Sequence, residues 1–155
     1  MSKPIYLTVG GSVTIDGGFS ILKALGADFF DELGHNVVVN QLAYPRSVAA
    51  LNLDRLKKNL HQISSKVLVD VEYTLCGNEG AVHIFGPQKG VHSYQLPIFE
   101  DLIQHLGDLL TTALNQNIFE LKEGAGGGVL AAIVAYHPQT TSYHGASFLI
   151  NLADI

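Results

Sequence analysis

The stretch Tyr6-Leu7-Thr8-Val9-Gly10-Gly11-Ser12-Val13-Thr14-Ile15-Asp16-Gly17-Gly18 runs from an apolar segment through a glycine pair and a small-polar loop to a second glycine pair. A helical pattern follows, with Phe19, Leu22 and Leu25 at helical spacing. The order is strand, loop, helix start. Glycines let backbone approach a ligand closely, and free N–H groups at a helix start favour an anion. The same pattern also suits a plain tight turn between a buried strand and a helix. What the loop is for therefore depends on the rest of the chain.

Composition narrows the class. The chain has 155 residues, the size of a single domain with a usable core. No linker or repeat divides it, so 1–155 reads as one domain. Charged residues make up only 15%, below the usual quarter. Such a chain either buries much of its surface or leaves apolar surface for a partner. The net charge of −5 gives no reason to expect nucleic acid or an anionic membrane. An anionic substrate would need a local positive site, so individual lysines matter. Cys76 is the single cysteine, which rules out an internal disulfide. The apolar run after Lys3 is short and broken by Gly10 and Gly11, unlike a signal peptide, and no run is long enough to span a membrane. The expected location is cytoplasmic.

Along the chain, strands and helices alternate, which predicts an α/β fold. Pro4 to Val9 reads as a strand buried on both faces, and Gly17 to Gly26 as a short helix capped by Thr14 or Asp16. Asp28 to Val39 looks like a hairpin turning at Asp31 to Asn36, and Ala27 to Leu33 also suits an extension of the helix. Gln41 to Ala50 reads as a loop, and Leu53 to Ile63 as an amphipathic helix. Lys66 to Tyr73 is a strand, Thr74 to Gly80 a loop, and Ala81 to Phe85 fits either helix or strand. Leu96 to Asn115 is the clearest helix, with Leu96, Phe99, Ile103, Leu106 and Leu110 in one stripe. The glycine loop Gly124 to Gly128 leads into an apolar helix, Val129 to Tyr136. Ser147 to Asn151 reads as a last strand. The expected arrangement is a sheet of strands 4–10, 66–72 and 146–151, flanked by helices at 96–115 and 127–136.

Standard fingerprints are missing. Lys89 has Gln88 before it and Gly90 after it, so it is not part of a Walker A motif. The run at Gly124 meets Val129 where a dinucleotide fingerprint needs glycine. The seven histidines are scattered, without the paired spacing of a zinc helix. Cys76 reads as a small loop residue rather than a nucleophile. Lys89 differs in kind. Phe85-Gly86-Pro87-Gln88-Lys89-Gly90 holds it in a tightly fixed backbone, from which an ammonium can reach a phosphate or carboxylate. Asp70 falls near the end of a predicted strand, where open α/β sheets place ligand sites. It suits a base, a metal-binding carboxylate or a loop cap. Asp16 suits a helix cap or an acidic group beside a ligand, and the cap is the simpler role.

Taken together, these stretches resemble the bacterial glycerate kinase family. Gly10 to Gly18 is similar to that family's Gly-Gly-Ser-Ala-Thr-Asn-Asp-Gly-Gly, and Leu22 to Ala27 continues the likeness. Asp70-Val71, Leu75-Cys76-Gly77, Gly80-Ala81 and Phe85 to Gly90 follow the family's second block in order and spacing. Gly124 to Gly128 matches the start of its third. The resemblance implies ATP-dependent phosphorylation of D-glycerate, with Mg²⁺ on the nucleotide, in a cleft lined by the glycine loops. It implies phosphate or carboxylate contacts from Gly10, Gly11, Ser12, Thr14, Gly17, Gly18, Gln88, Gly124, Gly126 and Gly127. Lys89 would neutralise charge on the substrate or transferring group, and Asp70 or Asp16 would accept a proton or help hold the metal.

The likeness covers the middle of the family, so 1–155 is expected to be a partial glycerate kinase-like domain. Ile15 stands where the family has Asn, and Tyr73-Thr74 where it has Asn-Pro. The third glycine block is shorter. Three readings follow from this. The chain supplies one part of a working enzyme, alone or with a complementary chain carrying the remaining segments. It is a truncated, inactive relative, with apolar surface that favours self-association. Or it is an anion-binding module without transfer.

Overall fold

The computed structural model describes residues 5–9, 11–37, 45–69, 71–121 and 141–152. Its sheet has three parallel strands: β1 (Ile5–Val9), β4 (Ser65–Val69) and β5 (Thr141–His144), in the order β1-β4-β5. Leu7 lies opposite Val67, and Leu68 opposite Tyr143. β4 is the middle strand and its Val67, Leu68 and Val69 are buried. This matches the near-continuous apolar run expected of a strand covered on both faces. β1 departs from that expectation. It pairs on one side only among the described strands, and Ile5 and Tyr6 keep 51% and 46% of their surface.

The helices are α1 (Phe19–Leu25), α2 (Asp54–Leu60), α3 (Ala81–Phe85), α4 (Leu96–Leu114) and α5 (Gly145–Leu152). Between α1 and α2, the short strands β2 (Asp28–Phe30) and β3 (Ala50–Asn52) pair antiparallel. α4 agrees with its stripe: Ile103, Leu106 and Leu110 are buried along one face. It stops where Asn115 takes the left-handed conformation, φ 51°, and its N–H returns to Thr111 O and Thr112 O. A short polar side chain tolerates that geometry.

Two apolar clusters result. The larger joins α1, α2, α3, α4 and β2 through Phe19, Leu22, Phe29, Leu56, Val82 and Leu106. The smaller is made by Val67 and Val69 with Leu7, Val9 and Val71 around them. A fully buried side chain of this kind contributes about 1.5–3 kcal/mol. The helical cluster therefore carries most of the stabilisation among the described residues.

Two local expectations are corrected. The segment 146–151 is helix, within α5, and the strand is the preceding Thr141–His144. A short apolar run does not declare its period, and here the β-prone Thr-Ser-Tyr sequence pairs with β4 instead. The hairpin expected at Asp28–Val39 is present in its described part, with the bridge Phe30 to Asn36 and a hydrogen bond from the Val37 N–H to Phe29 O, and β2 takes β3 as a second partner. That partner begins at Ala50, which the sequence assigned to a loop. Ala81–Phe85 resolves as helix. The expected helix at 127–136 lies outside the described residues. Among the described residues no helix is long and apolar enough to cross a membrane.

α4 is packed tightly enough to test. A Cβ on Gly107 would lie 2.4 Å from Phe119 Cζ and 3.3 Å from Leu75 Cδ2. Gly107→Ala should therefore destabilise the fold by about 1–3 kcal/mol, despite alanine's higher helix propensity. Urea unfolding with an unchanged slope is the check.

Candidate functional site

The three parallel strands end side by side. Val9 lies opposite Val69, and Val69 opposite His144. Open α/β sheets place ligands beyond the carboxyl ends of such strands. Both glycine-bearing segments leave from this edge, one after Val9 and one after Val69. Gly10 and Asp70, the first residues past those strands, lie outside the described residues, as do Gly124, Gly126 and Gly127.

The segment 11–18 is anchored at its far end. Ile15 packs against the larger cluster, and Gly17 and Gly18 are buried. Gly17 has φ +62°, and a Cβ there would lie 2.8 Å from Leu106 Cδ2 and 3.2 Å from Ile103 Cδ1. Only glycine combines this backbone with so close an approach. Asp16 then starts α1. Its Oδ1 accepts from the Gly18 N–H and its Oδ2 from the Ser20 N–H, each at 3.1 Å. Its carbonyl accepts from the Phe19 N–H at 3.0 Å. Asp16 thus engages the Gly18, Phe19 and Ser20 N–H groups at the start of α1, as a capping residue does. Gly11 and the Thr14 side chain remain exposed, and Val13 at the tip keeps 86% of its surface.

Lys89 meets this segment from the other side. α3 ends at Phe85, and a 3-10 turn, Pro87–Lys89, follows directly. Hydrogen bonds from Lys89 N and Val91 N to Gly86 O, at 2.9 and 3.0 Å, fix the turn. From it, Lys89 Nζ donates to Ser12 Oγ at 2.9 Å and to Thr14 O at 2.9 Å. The first of these joins residues 77 positions apart. Two sequence motifs therefore form one polar centre. Burial pushes the Lys89 ammonium below its ordinary range, and the nearby charge of Asp16 partly opposes the shift. Gln88, in the same turn, is exposed.

The segment after β4 carries contacts that the sequence reading did not assign. Tyr73 sets its ring edge against Phe85, with centroids 5.7 Å apart at 78°. Thr74 Oγ1 donates to Cys76 O at 2.8 Å. Glu100, on α4, accepts from the Gly77 N–H through Oε1 at 2.5 Å, and its Oε2 is buried without a partner among the described residues. The sequence held one signal for Glu100: it lies four residues after Leu96 and three before Ile103, a carboxylate within the apolar stripe of α4. The Cys76 thiol is pushed up to about 12 by burial first and by the Glu100 and Asp108 charges second. It is a packed loop residue and an inert thiol at neutral pH.

The described residues contain no group of three or more His, Cys, Asp or Glu suited to a metal ion. What they bring together is a lysine, a serine hydroxyl and a fixed carbonyl beside a glycine-bearing loop.

Comparison with known proteins gives this centre a context. The model of the glycerate kinase family matches residues 2–155. The chain belongs to the glycerate kinase family. It is 33% identical to the glycerate kinase of Neisseria meningitidis serogroup B over 155 residues, 98% of this chain and 40% of that protein. It is 30% identical to the glycerate 2-kinase of Escherichia coli K12 over 133 residues, 85% of this chain and 35% of that protein. A solved structure described as a glycerate kinase 2, from Salmonella typhimurium LT2, superposes with a TM-score of 0.82 at 28% identity. That match covers 94% of this chain and 39% of the other. The chain thus spans about two-fifths of the relatives it matches, and the α/β fold, a parallel sheet flanked by helices, is the family's.

Two measurements probe the local chemistry. Asp16→Ala should cost about 0.5–2 kcal/mol of stability through loss of the cap, read by thermal or urea unfolding. Cys76 should resist a thiol-specific disulfide reagent at pH 8 in the folded protein and react fully in denaturant. Its raised pKa also has a sign. The thiol favours the fold below its unfolded pKa, and that contribution fades as pH rises from there toward about 12.

Proposed function

We propose that this chain forms the anion-binding part of a D-glycerate-phosphorylating site, with a magnesium nucleotide as co-substrate. The observation that carries the reading is the Lys89 ammonium held 2.9 Å from both Ser12 Oγ and Thr14 O. These residues sit in the two motifs that resemble the family's glycine loop and its Phe-Gly-Pro-Gln-Lys-Gly block. The names of the relatives support the substrate and reaction.

In this reading Lys89 pairs with the carboxylate or with the transferring phosphoryl group. Phosphoryl transfer asks chiefly for position and charge neutralisation, which a lysine on a rigid turn supplies. Ser12 Oγ accepts from Lys89, which leaves its own proton free to donate to a ligand oxygen. Gly11, exposed and with open space around its Cα, lets a ligand approach the backbone. The engagement of the Gly18 and Ser20 N–H groups by Asp16 moves the anion contact away from the start of α1 and onto Lys89 and Ser12. Asp70 and the third glycine loop are assigned to the same site by the resemblance. Magnesium enters with the nucleotide, as part of the substrate.

A second reading rests on the anion centre alone: Lys89 and Ser12 hold an anion, and the chain acts as a binding module without transfer. Calorimetry with D-glycerate and inorganic phosphate, beside a coupled nucleotide assay, separates the two. Under the first reading the chain binds D-glycerate, and the whole site of which it is a part turns over. Under the second it binds an anion without turnover. In either case Lys89→Ala should weaken anion binding by about 1.5–3 kcal/mol, the worth of a charge-assisted hydrogen bond. Unchanged affinity in that variant would overturn both. Affinity should also fall as pH climbs through the lowered Lys89 pKa, earlier than for an ordinary lysine.

A further inference from the structure

The contact between Lys89 and Ser12 has a second chemical meaning. A nucleophile is recognised by a hydroxyl within hydrogen-bond reach of a base, the base in turn being oriented by a third group. Serine with lysine is one known version of that arrangement. Here Ser12 Oγ is 2.9 Å from Lys89 Nζ, and the same nitrogen is tied to Thr14 O at 2.9 Å. As an ammonium, Lys89 donates to both oxygens. As a free amine, it keeps one N–H on Thr14 O and turns its lone pair to the Ser12 proton. The geometry thus serves both protonation states without movement. Thr14 O does for this amine what an orienting carboxylate does for a histidine.

We propose that Ser12 is an activated nucleophile, with Lys89 as its general base, and that it takes an electrophilic phosphorus centre, a phosphate anhydride or a close analogue. In the step, Lys89 Nζ takes the Ser12 hydroxyl proton as Oγ attacks phosphorus. The Oγ–P bond forms and the bond from phosphorus to its leaving group breaks. The leaving group departs with that bond's electron pair. The new Lys89 ammonium then stands beside the phosphoryl oxygens and neutralises their charge. Partial exposure of Ser12 gives access, and the desolvation of Lys89 favours its free-amine form. Asp16 is the charged neighbour whose field opposes that form. The proposal uses the same centre as the glycerate reading but needs neither glycerate nor nucleotide binding.

The test is labelling of the whole chain with a dialkyl fluorophosphate, which loses fluoride when attacked. Intact mass and peptide mapping locate the adduct. A single dialkylphosphoryl group on Ser12 is expected. It should be absent in Ser12→Ala and in protein unfolded by urea. Lys89→Ala should slow it on the order of 100-fold, as for loss of a general base. Lys89→Arg keeps the charge and the donors but supplies no base, so it should be equally slow. Melting curves confirm that each variant is folded, and if Lys89→Ala is not, the arginine variant decides. No adduct on Ser12, an adduct on Lys89 itself, or labelling of the arginine variant at the wild-type rate would overturn the proposal. D-glycerate affinity, measured separately, reports on the glycerate reading alone.

Discussion

One ammonium group holds the candidate site together. Lys89 reaches out of the short turn after α3 and closes on Ser12 and Thr14, in the segment that leaves β1. β1 belongs to the sheet and its small apolar cluster, whereas α3 packs into the larger helical cluster. The lysine therefore ties a segment rooted in one cluster to a turn rooted in the other. Without it, the described part of the loop is anchored at its far end, where Ile15 and Gly17 meet the helical cluster. The tip, with Ser12 and the exposed Val13, would have no polar tether among the described residues.

α4 is the reference against which the rest is placed. Its buried face receives Gly17 through Leu106 and Ile103, and its flank receives the Gly77 N–H through Glu100. Both segments leaving the carboxyl edge of the sheet are thus fixed to one long helix. A rigid element under two loops is the usual means of holding polar groups to sub-ångström positions. Asp16 contributes differently. By accepting from the Gly18 and Ser20 N–H groups it occupies donors that the start of α1 would otherwise offer to an anion, and the positive charge for that task comes from a side chain instead.

Much of this was legible in the sequence, for identifiable reasons. α4 declared itself because a long stripe repeats its period several times. The glycine segments and Lys89 stood out because glycine and proline restrict or free the backbone in ways few other residues do. The likeness to a known family rested on the order and spacing of those blocks. What the sequence could not supply was pairing. Nothing local says that β2 takes β3 as a further partner, or that Thr141–His144 rather than the next segment joins β4. Such choices are made by contacts far apart in the chain. The same holds for the site. Lys89, Ser12 and Thr14 were each named as candidates, but their meeting at one nitrogen depends on the parallel register of β1 and β4 and on the position of α3. Glu100 went unassigned because a single carboxylate in an apolar stripe looks like the solvated edge of a helix until its partner, a backbone N–H, is in view.

Gly17 carries a consequence for how this chain's history is to be read. The residue belongs to the loop that resembles a ligand site, yet the atoms that forbid a side chain there are Leu106 and Ile103, in the interior. A descendant that had abandoned all chemistry would still need glycine at this position in order to fold. A glycine at this position is therefore no record of activity there. Gly11 has open space around it, yet its φ of +69° favours glycine for the backbone's sake alone, whether or not a molecule visits the loop.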